Sequence, residues 1–262
     1  MARSATDLAM LLSIQAGADP RVPLALNEQP DFTVLRPADL GSLRLGWLAD
    51  LGGYLPMEDG VLSLCEQALQ RMESAGVQVE PLSLGTAPQL IWQAWLVWRR
   101  ALVATRIAPH LAARSGNRDL IKPEALWEHD QAQGLSGNDL LAASAQRSAF
   151  YQHLLSLFER YDFLVLPTAQ VWPFDAEMRW PEQINGVAMD TYHRWMEVTI
   201  YATFAGLPCI SLPAGFGASG LPMGLQVIGR PQADLALLRL ARAWESVATD
   251  ILARRPSLPD AA

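Results

Sequence analysis

Residues 198–229 read VTIYATFAGLPCISLPAGFGASGLPMGLQVIG, thirty-two positions without a charged side chain. That exceeds the roughly 20 apolar residues a bilayer span needs. The punctuation argues against a span. Pro208, Pro213 and Pro222 interrupt the run, as do Gly206, Gly215, Gly217, Gly220 and Gly224. Two short apolar runs remain, Cys209–Leu212 and Leu225–Ile228. They have the length of strands buried on both faces, deep in an α/β sheet. The Gly-rich link between them allows one antiparallel step.

The same link spells GxGxxG at Gly215-Phe216-Gly217-Ala218-Ser219-Gly220. That fingerprint binds a dinucleotide only when a helix opens in the loop and presents its N-terminus to pyrophosphate. Here Leu221-Pro222-Met223-Gly224 follows, and proline and glycine oppose a helix. The segment therefore reads as a connection between strands.

Working outward, the flanks alternate between the two periodicities. Leu43–Leu48, Val77–Leu82 and Phe163–Leu166 read as strands, the last stopped by Pro167. Glu58–Ala75 reads as a helix with Val61, Cys65, Leu69 and Met72 on one face and Gly76 as its stop. Gln89–Leu111, Asp139–Tyr161 and Ala233–Leu252 read as long helices, and Asp190–Ala205 contains another. Ser115–Gly137 and Thr168–Asn185 read as loop-rich. Trp92, Trp95 and Trp98 form a stripe that packing explains better than a ligand wall. Strands alternating with long helices predict an α/β fold with a mixed sheet flanked by helices.

Composition sets limits. With 262 residues, the chain can bury roughly three-quarters of its unfolded surface. A net charge of −7 argues against nucleic acid as a partner. Lys122 is the only lysine among twenty basic residues. Cys65 and Cys209 read as buried thiols rather than a disulfide or a metal site. His110, His129, His153 and His193 lack metal-ligand spacing and read as surface or capping histidines, so neither metal nor cofactor is expected. The N-terminus imitates a secretory signal with Arg3 and an apolar Leu8–Ile14 run. Asp7 spoils that reading, and an amphipathic helix N-capped by Ser4 or Thr6, with Leu8, Leu11 and Leu12 on one face, is simpler. No membrane segment is expected, and the cytoplasm is the default location.

The residues now assembled resemble the C-terminal region of amidase-signature enzymes. Gly206-Leu207-Pro208-Cys209-Ile210-Ser211-Leu212-Pro213-Ala214-Gly215 carries the likeness, followed by Gly220-Leu221-Pro222-Met223-Gly224-Leu225-Gln226-Val227-Ile228-Gly229. Met1-Ala2-Arg3-Ser4 with Asp7 is similar to the "GPMARS…D" segment of that family. Leu45-Gly46 with Pro56 is similar to its "RIG…P" region, and Tyr161-Asp162 with Leu166-Pro167-Thr168 to its "YD…L.P" strand and loop. The resemblance implies hydrolysis of carboxylic amides by a serine, a second serine in a cis peptide and a lysine base. It also implies residues 1–262 as a single C-terminal portion of such a domain, with the N-terminal catalytic portion missing.

No Ser-Ser pair occurs in these residues, and Lys122 sits before Pro123 in a polar stretch. A hydroxyl without a neighbouring base is a weak nucleophile. Ser211 lies in a strand without the GxSxG elbow. No catalytic residue is therefore assigned. Thr168, Trp195 and Thr203 are the candidates for a substrate pocket. The family's Asn-Leu-Thr/Ala-Gly-Leu-Pro is replaced by Thr203-Phe204-Ala205-Gly206. Met196 stands where the glutaminyl-tRNA amidotransferase branch has an aspartate. Both changes favour a more apolar small-molecule amide.

Three readings stay open. The chain supplies pocket elements of an amidase; or it is a non-catalytic module that forms a homodimer or docks with a separately encoded N-terminal half; or Met1 marks an internal start of a longer gene.

Overall fold

The computed structural model describes residues 1–26, 30–113 and 116–254. Five strands form one mixed sheet in the order β2-β1-β3-β7-β6. These are β1 (Arg44–Trp47), β2 (Gln78–Pro81), β3 (Phe163–Pro167), β6 (Cys209–Phe216) and β7 (Pro222–Gly229). Strands β1, β2 and β3 run parallel, while β7 is antiparallel to both β3 and β6. A separate ribbon joins β4 (Gln183–Ile184) to β5 (Val187–Ala188).

Long helices surround the sheet: α1 (Ala5–Gln15), α2 (Val61–Ser74), α3 (Pro88–Ala113), α5 (Gly137–Leu157) and α7 (Asp234–Val247). Shorter helices among the described residues are α4 (Pro123–Gln131), α6 (Ile200–Ala205) and α8 (Thr249–Ala253). Val61, Cys65, Leu69 and Met72 of α2 are all buried, as their spacing predicts. Leu164, Leu166, Leu225 and Ile228 fill the centre of the sheet. Among the described residues no helix is long and apolar enough to cross a membrane.

Several expectations need correction. Strand β6 is an edge strand, not a deep one, and Cys209, Ser211 and Pro213 along it are exposed. Proline has no N–H for a ladder, so Pro213 suits an edge, and a bulge follows between Pro213 and Gly215. Cys209 is accordingly exposed as a residue, although the surroundings of its Sγ push the thiol up to about 12. The stretch 115–137, expected to be loop-rich, contains α4, which starts with Pro123 at its first position. The last helix is broken into α7 and α8 at Ala248. Helix α1 is capped by Ser4, whose Oγ accepts from the Asp7 N–H. Its packed side is Ala5, Ala9, Leu8 and Leu12, and Leu11 faces outward with Met10 and Ile14.

Candidate functional site

Strand register brings two hydroxyls together at one end of the sheet. Thr168 follows β3 and donates its N–H to the Gly224 carbonyl of β7 at 2.9 Å. Ser211 lies opposite Gln226 on β6, two residues from Gly224 along β7. The result places Thr168 Oγ1 2.8 Å from Ser211 Oγ. Gly224 permits the approach: a methyl group there would lie 2.7 Å from Thr168 Oγ1 and 2.8 Å from Ser211 Oγ.

These hydroxyls floor an open cleft of about 440 Å³, walled by Trp172, Phe174, Trp195 and Met223. Phe174 and Trp195 meet edge to face, with ring centroids 5.3 Å apart at 89°. Trp172 is tied down by its Nε1–H to the Asp59 carbonyl at 3.0 Å and by its backbone N–H to Glu58 Oε2 at 2.6 Å. Among the described residues no charged side chain lines the cleft. Neither hydroxyl has a neighbouring base among the described residues, and a hydroxyl without one is a weak nucleophile.

Thr168 and Trp195 are thus brought together, but Thr203 is not with them. It lies on α6, donates to the Thr199 carbonyl at 3.2 Å and lines a different groove with Trp95, Trp98 and Arg147. The tryptophan stripe divides between roles. Trp92 is fully buried in the core, whereas Trp95 and Trp98 line that groove. Lys122 Nζ is exposed and lies 3.9 Å from Glu124 Oε2.

Buried polar groups that local sequence patterns do not reveal hold the cleft's outer segment. Gln170 Oε1 accepts from the Val198 N–H and Gln226 Nε2 donates to the Val198 carbonyl, each at 3.0 Å. His193 is wholly buried rather than on the surface. Its Nε2 lies 2.6 Å from Glu128 Oε1, which also accepts from Arg99 Nε at 2.6 Å and from the Tyr192 hydroxyl at 3.1 Å. Burial pushes the Glu128 carboxyl up, but His193 and Arg99 outweigh it and hold it below its usual range. Glu197 is buried with the opposite outcome: desolvation wins over Arg194 at 2.7 Å and raises its carboxyl. On the same face of α4, one turn earlier, the buried Glu124 pairs with Arg179. Among the described residues no group of three or more His, Cys, Asp or Glu is placed to hold a metal ion.

Comparison with known proteins bears on the family and the fold. An acylamidase from Rhodococcus erythropolis is 28% identical over 250 residues, covering 94% of this chain and 51% of the relative. A glutamyl-tRNA(Gln) amidotransferase subunit from Deinococcus deserti is 29% identical over 267 residues, covering 94% and 54%. The chain thus spans about half the length of these curated relatives. Among solved structures, a bacterial aryl acylamidase of the amidase-signature family superposes with a TM-score of 0.83 at 26% identity, covering 97% of this chain and 55% of that one. A 6-aminohexanoate cyclic dimer hydrolase shares the fold with a TM-score of 0.81 at 21% identity, covering 97% and 55%. The Amidase family model matches residues 1–238, and the chain belongs to that family.

Proposed function

We propose that this chain supplies the sheet and the substrate-facing wall of an amide-hydrolysing enzyme, and that the groups which cleave the bond come from a separate portion. The carrying observation is the Thr168–Ser211 hydroxyl pair on the floor of an uncharged aromatic cleft. Such a surface accommodates an apolar acyl or aryl group and offers two hydroxyls to an amide. It offers no base. Membership of the amidase family and the acylamidase relatives support amides as the substrate class.

The test is hydrolysis of 4-nitroacetanilide and of an aliphatic amide by the purified chain. The expected result is no turnover above that of a Ser211→Ala variant. Turnover at enzymatic rates that Ser211→Ala abolishes would overturn the division of labour.

A second reading is favoured by the open edge of β6 and by the exposed Met10, Leu11 and Ile14 on α1. An unpaired strand beside apolar surface invites association. In this reading the chain is a non-catalytic module that pairs with a second copy or with a chain carrying the remaining half. Light scattering showing a monomer that binds no apolar dye would refute it.

A further inference from the structure

We propose that the groove between α3, α5 and α6 binds a small aromatic carboxylate. It is about 320 Å³, and its lining includes Trp95, Trp98, Arg99, Arg106, Arg147 and Phe204. That volume sits at the lower end of the range for small-molecule sites, which suits one or two fused rings.

The polar character of the groove is one-sided. Indole N–H and guanidinium groups donate hydrogen bonds and accept none. Apart from the Thr203 hydroxyl, every polar side chain lining it is of this kind, although Trp98 Nε1 is itself buried without a partner, which leaves the guanidinium groups to meet a ligand. Among the described residues no Asp or Glu lines it, and α3 has none in its 26 residues. Arg99 is committed to Glu128 and Tyr192. Among the described residues Arg147 hydrogen-bonds only through Nε, which donates to the Phe204 carbonyl at 2.6 Å, and both terminal nitrogens are left for a ligand. Arg106 is exposed and makes no ion pair among the described residues. A carboxylate answers such a donor set, because charge-assisted forks to guanidinium are the strong ones.

The apolar part argues for a ring. Arg99 Cζ lies over the Trp95 ring at 5.5 Å and Arg147 Cζ over the Trp98 ring at 5.8 Å, so guanidinium charge and indole face already share the groove. Leu102, Val103 and Phe204 continue the surface. The net charge of −7 over the whole chain opposes a long polyanion, so a compact monoanion fits better. This inference goes beyond the amide-hydrolase reading and rests on the groove alone.

The test titrates 2-naphthoate into the full chain and follows the indole N–H signals by nitrogen-15 NMR. Saturable one-to-one shifts of Trp95 and Trp98 are expected, with Trp244 unmoved. Arg147→Gln should weaken binding by about tenfold, as losing a charge-assisted bond does. Arg106→Gln should weaken it severalfold, and it touches no bond that holds the fold. Arg21→Gln, an exposed loss of the same charge, should leave affinity unchanged. Uncharged 2-naphthamide should bind about tenfold more weakly. The proposal is overturned if millimolar naphthoate moves neither indole, if naphthamide binds equally well, or if both Arg106→Gln and Arg147→Gln bind as wild type. It is also overturned if a Trp- and Glu-containing decapeptide binds tenfold more tightly than naphthoate, since the groove would then be a peptide site.

Discussion

His193 Nε2 lies 2.6 Å from Glu128 Oε1, and neither side chain has any exposed surface. The bond ties α4 to the segment that carries Trp195, across 65 residues of chain. Removing one partner of a buried pair leaves the other uncompensated, which typically costs about 3–5 kcal/mol. Glu128→Ala should therefore lower stability by about that amount in urea melts at pH 7, because Arg99 and His193 both lose their acceptor.

The pH dependence follows from the sign of the shift. The folded state holds the Glu128 carboxyl below its usual value of 4.5. Its contribution is fully present above that value and disappears as pH falls through the lower folded value. Glu128→Gln should flatten the loss of stability on acidification below about pH 4.5. Acid melts of equal steepness in variant and wild type would refute this.

Glu197 should behave in the opposite sense. Desolvation raises its carboxyl above 4.5 despite Arg194. The folded state then binds the proton more tightly, so stability declines as pH rises from about 4.5 through the folded value. Glu197→Gln should remove that decline, with urea midpoints that change less between pH 4.5 and 7 than those of wild type.

Gly224→Ala tests the hydroxyl pair. The added methyl would meet Thr168 Oγ1, Ser211 Oγ and, at 3.1 Å, the Leu212 carbonyl oxygen. Overpacking of this kind costs about 1–3 kcal/mol. Combining Gly224→Ala with Thr168→Ala and Ser211→Ala removes two of the three clashes. The triple variant should therefore lose less stability than the sum of its parts in the same melts.

The two thiols should be slow with alkylating reagents. Burial pushes Cys65 and Cys209 each up to about 12, so the thiolate is scarce at pH 8. Iodoacetamide should modify neither quickly in the native chain, Cys209 ahead of Cys65 because its residue is exposed. In urea both should react rapidly. Mass spectrometry over time gives the order.

Apolar periodicity makes α2, α5, α7 and strands β1, β3 and β7 readable, since each repeats its buried side chains within a few residues. What stays hidden depends on long-range placement. Strand β6 has the apolar run of an interior strand, and only the strand order reveals that one side is unpaired. Thr168 and Ser211 are 43 residues apart and meet through the register of β3, β7 and β6. Thr203 joins Thr168 as a candidate through its place in the family-like motif, and the fold carries it instead to the groove beside Trp95 and Trp98. Helix α4 is hidden by its polarity: Glu124 and Glu128 look solvated, yet their partners Arg179 and His193 arrive from 55 and 65 residues away.

Lys122 ends as a practical asset. Its amine is exposed at the N-cap of α4, beside the Glu124 carboxylate that also holds Arg179. It is the only side-chain amine in the sequence. An amine-directed dye will therefore attach to side chains at one defined place, next to the ion pair that fastens the segment bearing Trp172 and Phe174. Its emission can follow the loosening of that segment without any engineered cysteine.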